Sequence, residues 1–131
     1  MAKLLHMCVG VTDMARSERF YKDVLDLDVR DHYANEAGWT ISYLSNDESA
    51  MELELVVWRT PGLTYTPPGQ DIHVAVSVAD LEAEHARVSK LARTEPIIPI
   101  VFDGREVARY FFAADPDGNR IEFMSGDGRF G

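Results

Sequence analysis

The stretch His73-Val74-Ala75-Val76-Ser77-Val78-Ala79-Asp80 repeats the pattern of His6-Met7-Cys8-Val9-Gly10-Val11-Thr12-Asp13. Each histidine is followed by Val at +3, Val at +5 and Asp at +7. Both stretches alternate, so each reads as a strand with an aliphatic face and a histidine on the other face. Asp13 and Asp80 then stand where a helix N-cap belongs, each ahead of apolar residues at helical spacing. Self-similarity at a fixed offset marks a duplicated unit.

Outward from the first copy, the pattern predicts a strand over residues 4–11 and a helix over 14–25 that buries Phe20, Tyr21, Val24 and Leu25. An extended segment at 28–33 follows, then a strand at 39–45 with Trp39, Ile41 and Tyr43 on one face. In a strand at 51–58, Met51, Leu53, Leu55 and Val57 oppose Glu52, Glu54 and Val56. Residues 59–71 hold three prolines and two glycines and read as a linker. The second copy predicts a strand at 72–78 and a helix from Leu81 to about Leu91 that buries Leu81, Val88 and Leu91. A short edge strand at 97–102 and a strand at 107–113 complete its middle. Asp115-Pro116-Asp117-Gly118 then spells a tight turn, with φ preset at Pro116 and a positive φ open to Gly118. In the strand after it, Ile121 and Phe123 share one face and Glu122 takes the other; residues 125–131 read as a mobile tail. The expected fold is α+β, a single domain over 1–131. It comprises two tandem β-α-β-β-β modules, about 1–58 and 72–124 with linker 59–71, forming a curved mixed sheet.

Glu54 lies 48 residues after His6, and Glu122 lies 49 after His73. With the helices covering the aliphatic stripes, the His/Glu faces line the concave side and His6, Glu54, His73 and Glu122 converge. A strand histidine or glutamate taken singly reads as structural or solvated; four at matched positions read as ligands. Two imidazoles and two carboxylates suit a divalent first-row ion, with positions left for water or substrate. Ni²⁺, Co²⁺, Zn²⁺, Mn²⁺ and Fe²⁺ all fit that donor set. Glu52 shares the face of Glu54 and competes with it, but the matched spacing favours Glu54. Cys8 reads as a small buried filler, and His32 and His85 as surface residues. Trp58, Tyr110, Phe111 and Phe112 read as core or dimer packing.

Composition narrows the classes. With 46% hydrophobic and 27% charged residues, the chain is an ordinary globular protein of one-domain length. A net charge of −9 argues against binding nucleic-acid phosphates. No apolar run nears the roughly 18 residues of a membrane span, and no signal-peptide pattern is visible. The single cysteine fits a reducing, cytoplasmic setting without a disulfide framework.

Leu4-Leu5-His6, Asp13-Met14-Ala15-Arg16-Ser17, Phe20-Tyr21 with Val24-Leu25, Glu54-Leu55, His73 and the Asp115-Pro116-Asp117-Gly118 turn leading to Glu122 resemble the vicinal oxygen chelate superfamily. The nearest branch is glyoxalase I (lactoylglutathione lyase) of the short bacterial type, matched over about residues 4–124. The resemblance implies one divalent ion, typically Ni²⁺ or Zn²⁺, held by His6, Glu54, His73 and Glu122 in a homodimer whose sites form between chains. It implies a lyase acting on a small molecule, the hemithioacetal of an α-oxoaldehyde with glutathione or another thiol, through a metal-bound enediolate. Glu122 would be the base and Glu54 its symmetric rival. Two positions depart from the glutathione pattern: Asp23 stands where a basic residue is expected, and Trp58 where an asparagine is expected. The substrate-binding residues are therefore unassigned, with Arg16, Arg19, Lys22 and Arg109 the cations nearest to hand. The alternatives are another superfamily enzyme, an extradiol dioxygenase or an epimerase, or a non-catalytic small-molecule binding or resistance protein.

Overall fold

The computed structural model describes every residue except Ala37, residues 58–63 and Gln70. Trp58 and much of the expected linker lie outside the described residues. The chain divides into two units, Met1–Pro67 and Pro68–Gly131.

In the first unit the order is β1 (His6–Gly10), α1 (Met14–Leu25), β2 (Asp28–Ala34), β3 (Thr40–Ser45) and β4 (Glu52–Val57). The sheet runs β1-β4-β3-β2, with β1 parallel to β4 and the other neighbours antiparallel. Helix α1 starts where the sequence predicts, because the Asp13 carboxylate accepts the Arg16 N–H at 3.0 Å. It stops at Asp26, which takes a left-handed conformation (φ 53°) and donates back to the last turn. The helix packs on β3 and β4 through Ser17, Tyr21 and Val24, while Phe20 and Leu25 are only half-buried. Val9, Leu44, Leu53 and Leu55 meet it from the sheet, each burial contributing about 2 kcal/mol. The alternation places Tyr43 on the opposite face, with His6.

The second unit repeats the plan: β5 (Val74–Ser77), α2 (Leu81–Val88), β6 (Arg93–Thr94), β7 (Ile98–Phe102), β8 (Arg105–Ala114) and β9 (Arg120–Gly126). Its order is β5-β9-β8-β6, with β7 also pairing β8 and β5 parallel to β9. Asp80 caps α2 by accepting the Ala83 N–H at 2.9 Å. The helix ends at Val88 rather than near Leu91, and Leu91 is exposed, because the Ser89 hydroxyl bonds Thr94 and the chain turns into β6. Strand β6 is two residues long, too short to leave an alternating signature. The expected mobile tail instead continues β9 to Gly126, paired with Ala108, and ends in a 3₁₀ turn at Gly128–Phe130. The core is built on Phe111 stacked on Phe123, centroids 4.7 Å apart, with the His85 ring edge-on to Phe111. His85 is therefore half-buried, its Nε2 2.9 Å from the Glu95 carbonyl, and not the surface residue expected.

The turn before β9 is tied by one side chain. Asp115 Oδ1 accepts the N–H groups of Asp117 and Asn119, and Oδ2 accepts the Asn119 side-chain amide. Gly118 takes the positive φ (87°) that the turn requires. Among the described residues no helix is long and apolar enough to cross a membrane.

Candidate metal centre

His6 lies on β1 and Glu54 on its parallel neighbour β4, where Glu54 pairs with Cys8, two residues beyond the histidine. This offset leans the carboxylate toward the imidazole: His6 Nε2 and Glu54 Oε2 are 3.3 Å apart. Across β3, Tyr43 pairs with Glu54 and sets its ring edge-on to His6, centroids 5.5 Å apart. Hydrogen bonding with the Glu54 carboxylate first, and desolvation second, push the Tyr43 phenol up to about 12. Cys8 is exposed by area, not the buried filler expected, and its cross-strand neighbour is Glu54. Desolvation first, then hydrogen bonding with the Glu54 carboxylate, push the thiol up to about 11.

The second unit makes the same contact in the same register. Glu122 on β9 pairs with Ala75 of β5, two residues beyond His73, and His73 Nε2 lies 3.1 Å from Glu122 Oε2. Phe112 of β8 pairs with Glu122 and stands edge-on to His73, centroids 5.2 Å apart. Phe112 thus belongs to the His/Glu face and not to the core; Phe111 alone of the aromatic run is core. The Arg120 guanidinium lies 3.8 Å over the Phe112 ring and is held by both oxygens of Glu95. His73 Nδ1 is buried and has no hydrogen-bond partner among the described residues.

Each carboxylate is nearly enclosed, its side chain 12% exposed for Glu54 and 14% for Glu122, without an Arg or Lys in contact among the described residues. A cation beside each would relieve that burial. The donor set fits: cis ligands on bonds of about 2.1 Å stand roughly 3 Å apart, the spacing of both nitrogen–oxygen pairs. The structure therefore brings together His6 with Glu54 and His73 with Glu122. Among the described residues no group of three or more His, Cys, Asp or Glu side chains forms a metal cage.

The sequence left the substrate side blank. A cleft of about 790 Å³ in the first unit is lined by Leu5, His6, Arg30, Tyr33, Tyr43 and Glu52, among others. No motif marked it, because β2 supplies its wall with a strand exposed along its whole length. The cations noted from sequence are largely engaged elsewhere: Lys22 pairs with Asp26 and Asp28, Arg109 with Glu82, and Arg16 bonds the Thr12 hydroxyl. His32 is half open to solvent, its Nδ1 2.8 Å from the Ser42 hydroxyl.

Two units of strand, helix and further strands, three in the first and four in the second, each presenting one histidine to one glutamate across a parallel strand pair, define the class of protein. The chain belongs to the Glyoxalase/Bleomycin resistance protein/Dioxygenase superfamily, whose family model matches residues 3–123. It is 33% identical over 129 residues to a lactoylglutathione lyase of Haemophilus influenzae, covering 93% of this chain and 91% of the relative. A trypanothione-dependent glyoxalase I of Leishmania major shares 27% identity at a TM-score of 0.71, over 95% of this chain and 87% of that one. The fosfomycin resistance protein FosX of Listeria monocytogenes shares the fold alone, at 14% identity and a TM-score of 0.77, over 97% and 95% of the two chains.

Proposed function

We propose that the chain is a metal-dependent lyase of glyoxalase I type, moving a proton between adjacent carbons of an α-oxoaldehyde–thiol adduct. The observation that carries this reading is the His–Glu contact made twice in one register, at 3.3 and 3.1 Å. His6, Glu54, His73 and Glu122 would hold one divalent ion, the ligands coming from one chain or from two in a homodimer. The likeness to a lactoylglutathione lyase supports the reaction class. Bound there, Ni²⁺ or Zn²⁺ (or Co²⁺, Mn²⁺ or Fe²⁺) supplies Lewis-acid polarisation of the substrate's oxygens. Glu122 takes the proton from one carbon and returns it to the next. The cleft beside His6 and Tyr43 receives the adduct, with Arg30 and Tyr33 on its wall. Asp23 and Trp58 favour a thiol other than glutathione, and the trypanothione-dependent relative illustrates such a change within the superfamily. The runner-up is a reaction on another oxygenated substrate at the same ligands. A FosX structure holding Mn(II) and a dihydroxypropylphosphonic acid supports it.

The test is metal content after chelator-free purification, followed by turnover of methylglyoxal with glutathione and alternative thiols across a metal panel. About one ion per chain, lost in His73→Ala, is expected. Glu122→Gln should cut turnover roughly 10²–10⁴-fold with the fold intact. A metal-free protein inert with every ion would refute the assignment.

A further inference from the structure

Strand β2 carries an irregularity that decides what its end of the cleft presents. Its register on β3 slips between Val29, which pairs with Leu44, and Asp31, which pairs with Tyr43, so Arg30 is an extra residue in the ladder. Strict alternation would put Arg30 and Asp31 on opposite faces; a bulge turns them to the same one. Both accordingly line the cleft of about 790 Å³ beside His6, together with Tyr33, Tyr43 and Ser45, while Val29 and His32 lie outside its lining.

The guanidinium so placed is held but not used up. Its Nε donates to the Ser45 hydroxyl at 3.1 Å, and Nη2 donates to Asp47 at 3.3 Å, which engages two of its five N–H groups. The Asp47 side chain is fully exposed, so that pair contributes little and yields to a better acceptor. Asp31, the acid next to it in the chain, is already occupied. Its Oδ1 accepts the His32 N–H at 2.9 Å and its Oδ2 the Tyr33 hydroxyl at 2.6 Å.

Extending the proposed function, on which the reacting end of the ligand rests, we infer that Arg30 is a specificity residue that binds a single carboxylate on the thiol part of the adduct. A guanidinium fork takes a carboxylate through two N–H groups at once. Strand order sets the reach: β2 lies two strands from β4, and Tyr43 on the strand between pairs with Glu54, so the arm starts roughly 10 Å across the sheet from Glu54. That span fits a small thiol acid whose reacting carbons lie at His6 and Glu54. Asp31 and Glu52 line the same cleft and repel a second carboxylate, so the class is a monocarboxylate thiol.

Nuclear magnetic resonance titration with the unreactive thioether 3-(benzylthio)propionate, its amide and 2-(benzylthio)ethylamine reads this site without metal or turnover. The acid should bind about tenfold more tightly than the amide or the amine, with backbone shifts concentrated at 30–33 and 43–45. Arg30→Gln should erase the difference, and Arg30→Lys should restore part of it. In turnover with methylglyoxal and 3-mercaptopropionate, Arg30→Gln should raise KM about tenfold with kcat retained. Acid and amide bound alike by the wild type, or a preference that survives Arg30→Gln, would overturn the inference whatever the metal assays give. A tenfold preference that Arg30→Gln removes, in a protein that turns over no adduct, upholds the carboxylate site and sinks only the reaction. Should Arg30→Gln lose its circular dichroism, the wild type decides: a preference for the acid with shifts centred on Arg30 upholds the inference, and shifts elsewhere overturn it.

Discussion

Replacing the buried Asp115 with Ala should be among the costlier single polar changes in the second unit. The carboxylate accepts three N–H groups: Asp117 at 2.9 Å, Asn119 at 2.8 Å and the Asn119 amide at 2.7 Å. Both Asn119 donors are buried, for Asp115 and Asn119 are 5% and 4% exposed. The Asp117 N–H lies nearer solvent, so losing it costs little. Taking this acceptor from two buried donors costs about 1–3 kcal/mol each, for a total near 4 kcal/mol. A water entering the vacated volume would satisfy one donor and bring the cost toward 2 kcal/mol. Against a domain stability of about 5–15 kcal/mol, either figure is large. Asp115→Asn keeps an oxygen for the two backbone donors and loses the third bond, so it should cost about 1 kcal/mol. Urea unfolding followed by far-ultraviolet circular dichroism measures both, and hydrogen exchange at the Asn119 amide reports the turn locally. The functional stake is register. The turn sets Phe112 opposite Glu122, and a slip of one residue would carry Glu122 to the α2 face. A loss below about 1 kcal/mol in Asp115→Ala, with Asn119 still protected, would refute this account.

One further outcome follows from adjacent residues with opposite fates, and another from the two helix caps. Phe111→Ala opens the fully buried stack on Phe123 and should cost about 3–5 kcal/mol, whereas half-buried Phe112→Ala should cost less in stability and more in metal affinity; urea midpoints and Co²⁺ titrations separate the two. Asp13→Ala and Asp80→Ala each remove a cap accepting one backbone N–H and should lower stability by about 1 kcal/mol apiece, measured by the same unfolding curves.

Helix α1 was legible to the residue because three signals coincide: a capping Asp13, apolar spacing through Val24, and a residue at Asp26 that tolerates positive φ. Helix α2 has the same start but no such stop. Its end is set by a Ser89–Thr94 contact that depends on where β8 lies, so the pattern ran on to Leu91. Phe112 and Cys8 were misjudged for a related reason. Alternation says which residues share a face, not which face the helix covers, and an apolar ring or a thiol fits either. The placing of Tyr43 and Cys8 beside Glu54 arises from strands distant in sequence, and no local pattern encodes it.

The choice between Glu52 and Glu54 turns on register rather than spacing. Glu52 is the residue directly across from His6, and by proximity along the strand it would be the natural partner. The second unit argues otherwise. Its position two residues before the glutamate is Arg120, a cation committed to Glu95 and stacked on Phe112. A duplicated ligand set therefore has no acid at that position, while the position two residues beyond each histidine faces an acid in both copies, Cys8 with Glu54 and Ala75 with Glu122. The spacings of 48 and 49 differ by one because loops and irregularities, such as the one between Val29 and Asp31, absorb a residue that the hydrogen-bonded strands cannot. What the duplication preserves is the cross-strand offset that leans a carboxylate onto an imidazole, and under the proposed function that offset favours Glu54 over Glu52 as the ligand.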